Sequence, residues 1–265
     1  MIAERQSRLR ELLSRRGMCD LDTLAAELNV SQSTVRRDVE NLEHNGLVER
    51  THGGVIWLGD RGAAQAAGPY AFHQRMNYQS DAKRRIARAA GALVQPGQTI
   101  LIDGGTTTFY LAQELLGRSL QIVTNSLPIA NLFLNDEQVE LVLTGGIMYP
   151  RHGVLLGPMV EKVLTSIHTK TLFLSVAGIH EGVLYNQNML LVEAELRMME
   201  QAQEVVLLAD SGKFGQQALS RLCPLDQIDV VVSDESLPLD QREHVRAAGC
   251  NLIIADANGD GFKSN

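Results

Sequence analysis

The run Ser31-Gln-Ser-Thr-Val-Arg-Arg-Asp-Val-Glu-Asn-Leu-Glu-His-Asn-Gly46, continuing as Leu47-Val-Glu-Arg-Thr-His-Gly-Gly54, decides how the first part of the chain folds. Ser31 stands where a helix cap should be, with a hydroxyl able to accept from an unpaired first-turn amide. Val35, Val39 and Leu42 recur at helical spacing and form one apolar stripe. Gln32, Ser33, Arg36 and Arg37 fall largely off that stripe, and Thr34 completes the polar start of the helix. In helix-turn-helix proteins the N-terminal part of the recognition helix meets base edges. Arginine can bind guanine through two hydrogen bonds, and glutamine can do the same to adenine. Gly46 suits a helix stop at positive φ.

The flanks fit this reading. Ile2 to Arg16 carries Ile2, Leu9, Leu12 and Leu13 between arginines, with Gly17 as its stop. Leu21, Leu24, Ala25 and Leu28 give a second, shorter helix, and Asn29-Val30 is a tight link to the third. This is the helix-turn-helix order. Leu47–Arg50 and Val55–Leu58 around His52-Gly53-Gly54 read as a hairpin, a wing on which Arg50 and His52 would grip DNA. The competing reading is a small helical bundle used for dimerisation. Charge does not decide between them: eight arginines against nine carboxylates leave residues 1–58 at −1. Binding must come from where the arginines point, and a dimer would double the phosphate contacts.

Across all 265 residues the net charge is −7 and hydrophobic residues make up 45%. That is ample for a core and argues against indiscriminate binding to nucleic acid or membrane. Cys19, Cys223 and Cys250 include no close pair, so neither a disulfide framework nor a zinc site fits. No signal peptide or long apolar span is read, and a cytoplasmic location is expected by default. Gly59-Asp-Arg-Gly-Ala-Ala-Gln-Ala-Ala-Gly-Pro69 is small and flexible in composition. The expected organisation is therefore a winged helix-turn-helix domain at 1–58, a linker at 59–70, a larger domain at 71–256 and a flexible tail at 257–265. Asp256-Ala-Asn-Gly-Asp-Gly261 copies the opening of a calcium loop, but the bidentate acid such a loop needs at its twelfth position has no counterpart before Asn265.

Beyond the linker, apolar runs alternate with amphipathic segments. Strands are expected at Thr99–Asp103, Gln121–Thr124, Glu140–Thr144, Leu172–Val176, Val205–Ala209, Asp229–Val232 and Leu252–Ala255. Helices lie between them, which predicts an α/β domain built on a mainly parallel sheet. Ligands of such sheets sit beyond the carboxyl ends of the strands. The segments there are Asp103-Gly104-Gly105-Thr106-Thr107-Thr108, Thr124-Asn125-Ser126, Thr144-Gly145-Gly146, Ala177-Gly178-Ile-His-Glu-Gly182 and Asp210-Ser-Gly-Lys213-Phe-Gly215. Glycines let a backbone come close to a ligand, and hydroxyls with helix N-terminal amides can surround a phosphate. Lys213 could supply a cation. Each segment alone could be a turn or a cap. Together they suit a small phosphorylated ligand, and the pattern is neither a Walker loop nor a dinucleotide fingerprint. No cofactor or metal is expected.

These residues resemble the DeoR family of bacterial sugar-metabolism regulators nearly end to end. Ser31–Asp38 and His52–Gly54 are similar to its DNA-binding signature. Phe72, Arg75, Lys83–Ala87, Asp103–Thr108, Thr124–Ser126, Thr144–Gly146 and Asp210–Gly215 are similar to its sensor domain, which in turn resembles ribose-5-phosphate isomerase in fold. The resemblance implies a repressor that holds double-stranded operator DNA as a homodimer or homotetramer until a phosphorylated sugar binds. An enzyme remains as the alternative: a sugar-phosphate isomerase with an accessory DNA-binding domain. That chemistry needs a carboxylate base. The loop Val176–Gly182 lacks the aspartates of those enzymes. Glu195 stands at about the place of the base, with Glu193 and His180 as other candidates, and Glu195 is read instead as contacting effector hydroxyls. Tyr149–Gly153 and Tyr185–Met189 are further segments expected to line the pocket.

Overall fold

A computed structural model describes residues 2–16, 18–44, 47–51, 54–57, 71–256 and 261–263. The chain forms two compact units, Met1–Tyr78 and Gln79–Asn265.

In the first unit, helix α1 (Ile2–Arg16) is followed by strand β1 (Met18–Cys19), helices α2 (Leu21–Leu28) and α3 (Gln32–His44), and strands β2 (Val48–Thr51) and β3 (Gly54–Trp57). Asp20 caps α2, its Oδ1 accepting from the Thr23 amide at 2.7 Å. Asn29 closes the helix at φ 52°, a left-handed conformation that asparagine tolerates better than most residues. The chain thus turns from α2 into α3 within three residues. The core is one cluster in which Leu9, Leu13, Val35, Val39 and Val55 are fully buried. The strands form a sheet in the order β1-β3-β2. The two-residue strand β1 was not readable in the sequence. It also changes the role of Gly54, which belongs to β3 and not to the turn. A Cβ at Gly54 would stand 2.6 Å from the Cys19 carbonyl oxygen, so the glycine lets β1 close against β3. Gly17, Gly46 and His52 lie outside the described residues, as does the 59–70 segment read as a linker. Helix α4 (Ala71–Asn77), read as the start of the larger domain, clusters with the first unit.

The second unit opens with α5 (Ser80–Gly91). Then come β4 (Thr99–Ile102), α6 (Thr106–Glu114), β5 (Leu120–Thr124), α7 (Leu127–Leu132), β6 (Val139–Leu143), β7 (Ile147–Tyr149), β8 (Val154–Leu156) and α8 (Pro158–Leu164). The rest is β9 (Thr169–Leu174), β10 (Gly178–His180), β11 (Val183–Asn186), α9 (Met189–Glu200), β12 (Ala202–Leu208), β13 (Ser220–Pro224), β14 (Val230–Asp234), α10 (Leu239–Ala247), β15 (Asn251–Ala255) and β16 (Gly261–Lys263). The main sheet runs β16-β15-β14-β12-β9-β4-β5-β6 and is parallel except for β16. Its inner strands read as unbroken apolar runs, as burial on both faces requires: Ile100, Leu101 and Ile102 are fully buried, as are Leu172, Phe173 and Leu174.

Three features depart from the sequence reading. Gly261–Lys263, placed in a flexible tail, pair antiparallel with β15 and occupy what would otherwise be an open sheet edge. Part of the segment 176–182, read as a loop, is β10, one strand of an antiparallel sheet β10-β11-β13. The segment after Gly146 folds into the hairpin β7–β8. That hairpin packs on α9, with Val154 and Leu156 against Leu191 and Ala194.

Candidate functional site

The order of the seven parallel strands, numbered as they occur along the chain, is 3-2-1-4-5-6-7. The direction of winding reverses between β4 and β9, and a crevice opens beyond the carboxyl ends of such a pair. Asp103 follows β4 and Ser175 follows β9. The Ser175 amide and hydroxyl both donate to Asp103 Oδ2, at 3.4 and 3.2 Å. Ser175 was not singled out in the sequence, because nothing separates it from the apolar strand that carries it.

The turn Asp103–Gly105 works only with small residues. A Cβ at Gly104 would lie 2.0 Å from Val154 Cγ1, and one at Gly105 would lie 1.7 Å from Ser175 Oγ. The Gly105 amide donates to Thr108 Oγ1 at 2.8 Å, and that hydroxyl donates back to the Asp103 carbonyl at 2.7 Å. Thr108 therefore braces the turn, a correction to the expectation that its hydroxyl is on offer to a phosphate. Thr106 and Thr107 are buried in the first turn of α6, where helix amides lack intrahelical partners.

A second wall comes from β5. Thr124 Oγ1 donates to the Ile102 carbonyl at 2.7 Å, so this side chain ties β5 to β4 instead of reaching outward. Ser126 caps α7, its hydroxyl accepting from the Ile129 amide. Asn125 is 2% exposed, and its Nδ2 donates to the Leu155 carbonyl at 3.1 Å. The Leu155 amide answers to the Asn125 carbonyl at 2.8 Å, which docks the β7–β8 hairpin on this loop. Asn125 Oδ1 has no partner. Gly145 and Gly146 form the turn from β6 into that hairpin, and Gly178 sits in β10 opposite Tyr185.

The two segments expected to line the pocket do meet. Tyr149 and His152 stack with ring centroids 5.4 Å apart. His152 Nε2 lies 3.0 Å from Gln187 Oε1, and Asn188 Nδ2 donates to the Tyr149 hydroxyl at 3.0 Å.

Glu195 comes from α9 and is 2% exposed. Asn186 at the end of β11 donates its Nδ2 to Glu195 Oε1, while Oε2 has no partner. Burial pushes this carboxyl well above the usual range, and the negative charge of Asp103 pushes it further; the Asn186 hydrogen bond opposes both. Glu193, on the same helix, is exposed, and half-buried His180 lies within 3.6 Å of exposed Glu181, so neither joins this group.

The last wall is the short turn Ser211–Lys213 after β12. Asp234 at the end of β14 accepts from the Ser211 amide at 2.6 Å and from its hydroxyl at 3.0 Å. Asp210 is 1% exposed; its Oδ1 accepts from the Gly212 amide and its Oδ2 has no partner. Lys213 is half-buried at the end of this turn. Among the described residues, no group of three or more His, Cys, Asp or Glu side chains could hold a metal ion.

In the first unit, α3 turns Val35, Asp38, Val39 and Leu42 inward and leaves Ser33, Arg36 and Arg37 exposed. Arg5 of α1 grips Asp38 with two hydrogen bonds, Nε to Oδ2 at 2.6 Å and Nη2 to Oδ1 at 3.1 Å, and so anchors α3 to α1. Ser31, Ser33 and Thr34 hydroxyls cluster at the helix start, with Ser31 Oγ 2.8 Å from Ser33 Oγ and 2.9 Å from Thr34 Oγ1. Gln32 donates to Asp22 Oδ1 of α2 at 2.8 Å. Arg50 lies on β2 with its side chain outside the described residues.

Residues 5–59 match the DeoR-like helix-turn-helix domain, and residues 78–235 match the DeoR C-terminal sensor domain. The chain belongs to the DeoR family. Relatives of this DeoR protein include the HTH-type transcriptional regulator UlaR of Shigella dysenteriae, 31% identical over 252 residues that cover 95% of this chain and 98% of the relative. The Escherichia coli protein of that name is 30% identical over the same coverage. Ribose 5-phosphate isomerase A of Methanocaldococcus jannaschii is similar over 51% of this chain and 55% of that one, at 20% identity and a TM-score of 0.39. The DeoR chain is thus a transcriptional regulator with a DNA-binding unit and a sensor unit. None of the described helices is long and apolar enough to cross a membrane.

Proposed function

We propose that the chain is a repressor of a sugar-metabolism operon that a phosphorylated sugar releases from its operator. The observation that carries this reading is the Asp103–Thr108 turn at the strand-order reversal. Its glycines make room for the Val154 and Ser175 side chains, which holds the turn tight, and it opens a helix whose first amides lie at the carboxyl end of the sheet. Thr106, Thr107 and the Lys213 ammonium are assigned to the phosphate. Asn125 and Asp210 each keep an oxygen without a partner, and a polyhydroxy ligand brings hydroxyl donors to such oxygens. Asp103, Gly104, Gly105, Ser126, Gly145, Gly146 and Gly178 shape the walls, with Thr108 and Thr124 as internal braces.

For DNA, Gln32, Ser33, Arg36 and Arg37 are assigned to the major groove, Ser31 and Thr34 to the helix start, and Arg50 and His52 to the backbone beside the wing. The working form is a homodimer or homotetramer on a palindromic operator in the cytoplasm, with residues 59–70 joining the two functions. A ~100-fold change in operator affinity requires a coupling of ~3 kcal/mol.

The isomerase alternative asks Glu195 to be an ionised base at working pH. Burial and the charge of Asp103 both raise the proton affinity of Glu195, a shift that general acid–base enzymes also use, so a turnover assay separates the isomerase from the sensor. A thermal-shift screen of the full chain against sugar phosphates, followed by operator binding in the presence of each hit, tests the proposal. Stabilisation together with loss of operator binding is the expected result. Turnover of a sugar phosphate that disappears on Glu195→Gln would replace the repressor by the isomerase.

A further inference from the structure

We propose that Glu195 meets the effector as a neutral carboxylic acid, its Oε2 hydroxyl donating to a carbonyl oxygen of a ketose or open-chain aldose phosphate. The inference rests on the effector reading above and names the chemistry at one end of that ligand.

The hydrogen bond from Asn186 fixes the assignment of the two oxygens. An amide NH2 only donates, so Glu195 Oε1 is an acceptor and plays the carbonyl oxygen of the acid. The proton then belongs on Oε2, the oxygen that is buried and has no partner in the protein. Asp103 stands close enough for its charge to act on Glu195, and it has its own donors, the amide and hydroxyl of Ser175. Two carboxyls in such different surroundings separate into an ionised one and a protonated one. Asp103 accepts from both donors of Ser175, whereas Glu195, buried with one oxygen bare, is the one placed to hold a proton.

A buried hydroxyl without an acceptor carries an uncompensated desolvation cost, which a ligand removes by bringing lone pairs to it. A carbonyl oxygen brings lone pairs and no proton of its own. A hydroxyl in that place brings a second proton that must also find an acceptor. Glu195 therefore selects for the oxidation level of the sugar and not only for its phosphate.

The test uses the full chain and calorimetric titration with ketose phosphates of tetrose, pentose and hexose length, each paired with the alditol phosphate made by reducing its carbonyl. The ketose of the best-binding length should bind about tenfold tighter than its alditol. Glu195→Gln keeps an acceptor for Asn186 and a donor at the Oε2 position, so it should hold ketose affinity within about threefold. Preference for the alditol, or a loss of about tenfold in Glu195→Gln with unchanged melting, means that Glu195 acts as an ionised acceptor and overturns the inference alone. If no member of the panel binds, the effector reading has failed and the inference falls with it. An infrared difference spectrum of wild type against Glu195→Gln at neutral pH reads the protonation state without any ligand. A protonated-carboxyl carbonyl band missing in the variant supports the neutral acid; a lost carboxylate band overturns it.

Discussion

Replacing Gly105 by alanine should cost the sensor unit about 3 kcal/mol. The residue sits at φ −103° and ψ 171°, a conformation open to any amino acid, so no backbone strain is involved. The cost is contact. The new Cβ would lie 1.7 Å from Ser175 Oγ and 2.8 Å from Ser175 Cβ, far inside van der Waals distance. Forcing an extra carbon into a packed site costs about 1–3 kcal/mol. Pushing Ser175 away also breaks its hydrogen bonds to Asp103, and a hydrogen bond to a charged group is worth about 1.5–3 kcal/mol. One displacement causes both losses, so they overlap, which gives the total of about 3 kcal/mol. For a unit of this size that corresponds to a fall in melting temperature of roughly 6–12 °C. Differential scanning calorimetry of the full chain measures it. Ser175→Gly removes both crowded atoms, so in the Gly105→Ala background it should recover part of the loss, with a coupling of at least about 1 kcal/mol in the double-mutant cycle. Melting of Gly105→Ala within about 2 °C of wild type, or a cycle with no coupling, would refute the account of the turn as a close-packed cradle.

Other outcomes follow from the same geometry. Glu195 holds its proton more tightly in the folded chain than in the unfolded one. Its contribution to stability is therefore full below the ordinary glutamate pKa of about 4.3 and is lost as pH rises through the raised folded value. Glu195→Gln cannot ionise, so its stability relative to wild type should climb across that window in urea titrations; a flat difference contradicts the shift. Burial pushes the Cys223 thiol up to about 12 and the Cys250 thiol up to about 11. Both should resist alkylation in the native chain at pH near 8 and react at once in denaturant, because the thiolate is the reactive species. Arg36→Ala with Arg37→Ala should abolish operator binding in fluorescence anisotropy while leaving melting unchanged, since both side chains are exposed. Each arginine that grips a phosphate should take about one unit from the salt slope. Specific binding by the double variant would move recognition away from α3.

Long periodic segments were legible and short ones were not. α1, α3 and α9 carry apolar residues at helical spacing over twelve or more positions, and the inner strands are continuous runs of Val, Ile and Leu. The sheet class and the winged helix followed from those. Strands β1, β7 and β10 have two or three residues each, too few for any periodicity, and they are defined by partners distant in sequence. Of the site, the glycine turns could be picked out because their residue types are unusual where they occur, and Glu195 through the family resemblance alone. Ser175 and Asp234 could not, and Asn186 was reached only as part of the segment Tyr185–Met189, without a role of its own. Their importance lies in bonds to Asp103, Ser211 and Glu195 across 72, 23 and 9 residues of chain. Thr108 and Thr124 show the opposite error: a hydroxyl after a strand invites a ligand role, yet both close bonds within the scaffold.

The double grip of Asp234 on Ser211 has a kinetic meaning. It fastens the Lys213 turn to the neighbouring strand, so that wall is already formed before any molecule arrives. For the phosphorylated effector proposed above, this part of the site would need no ordering step on binding.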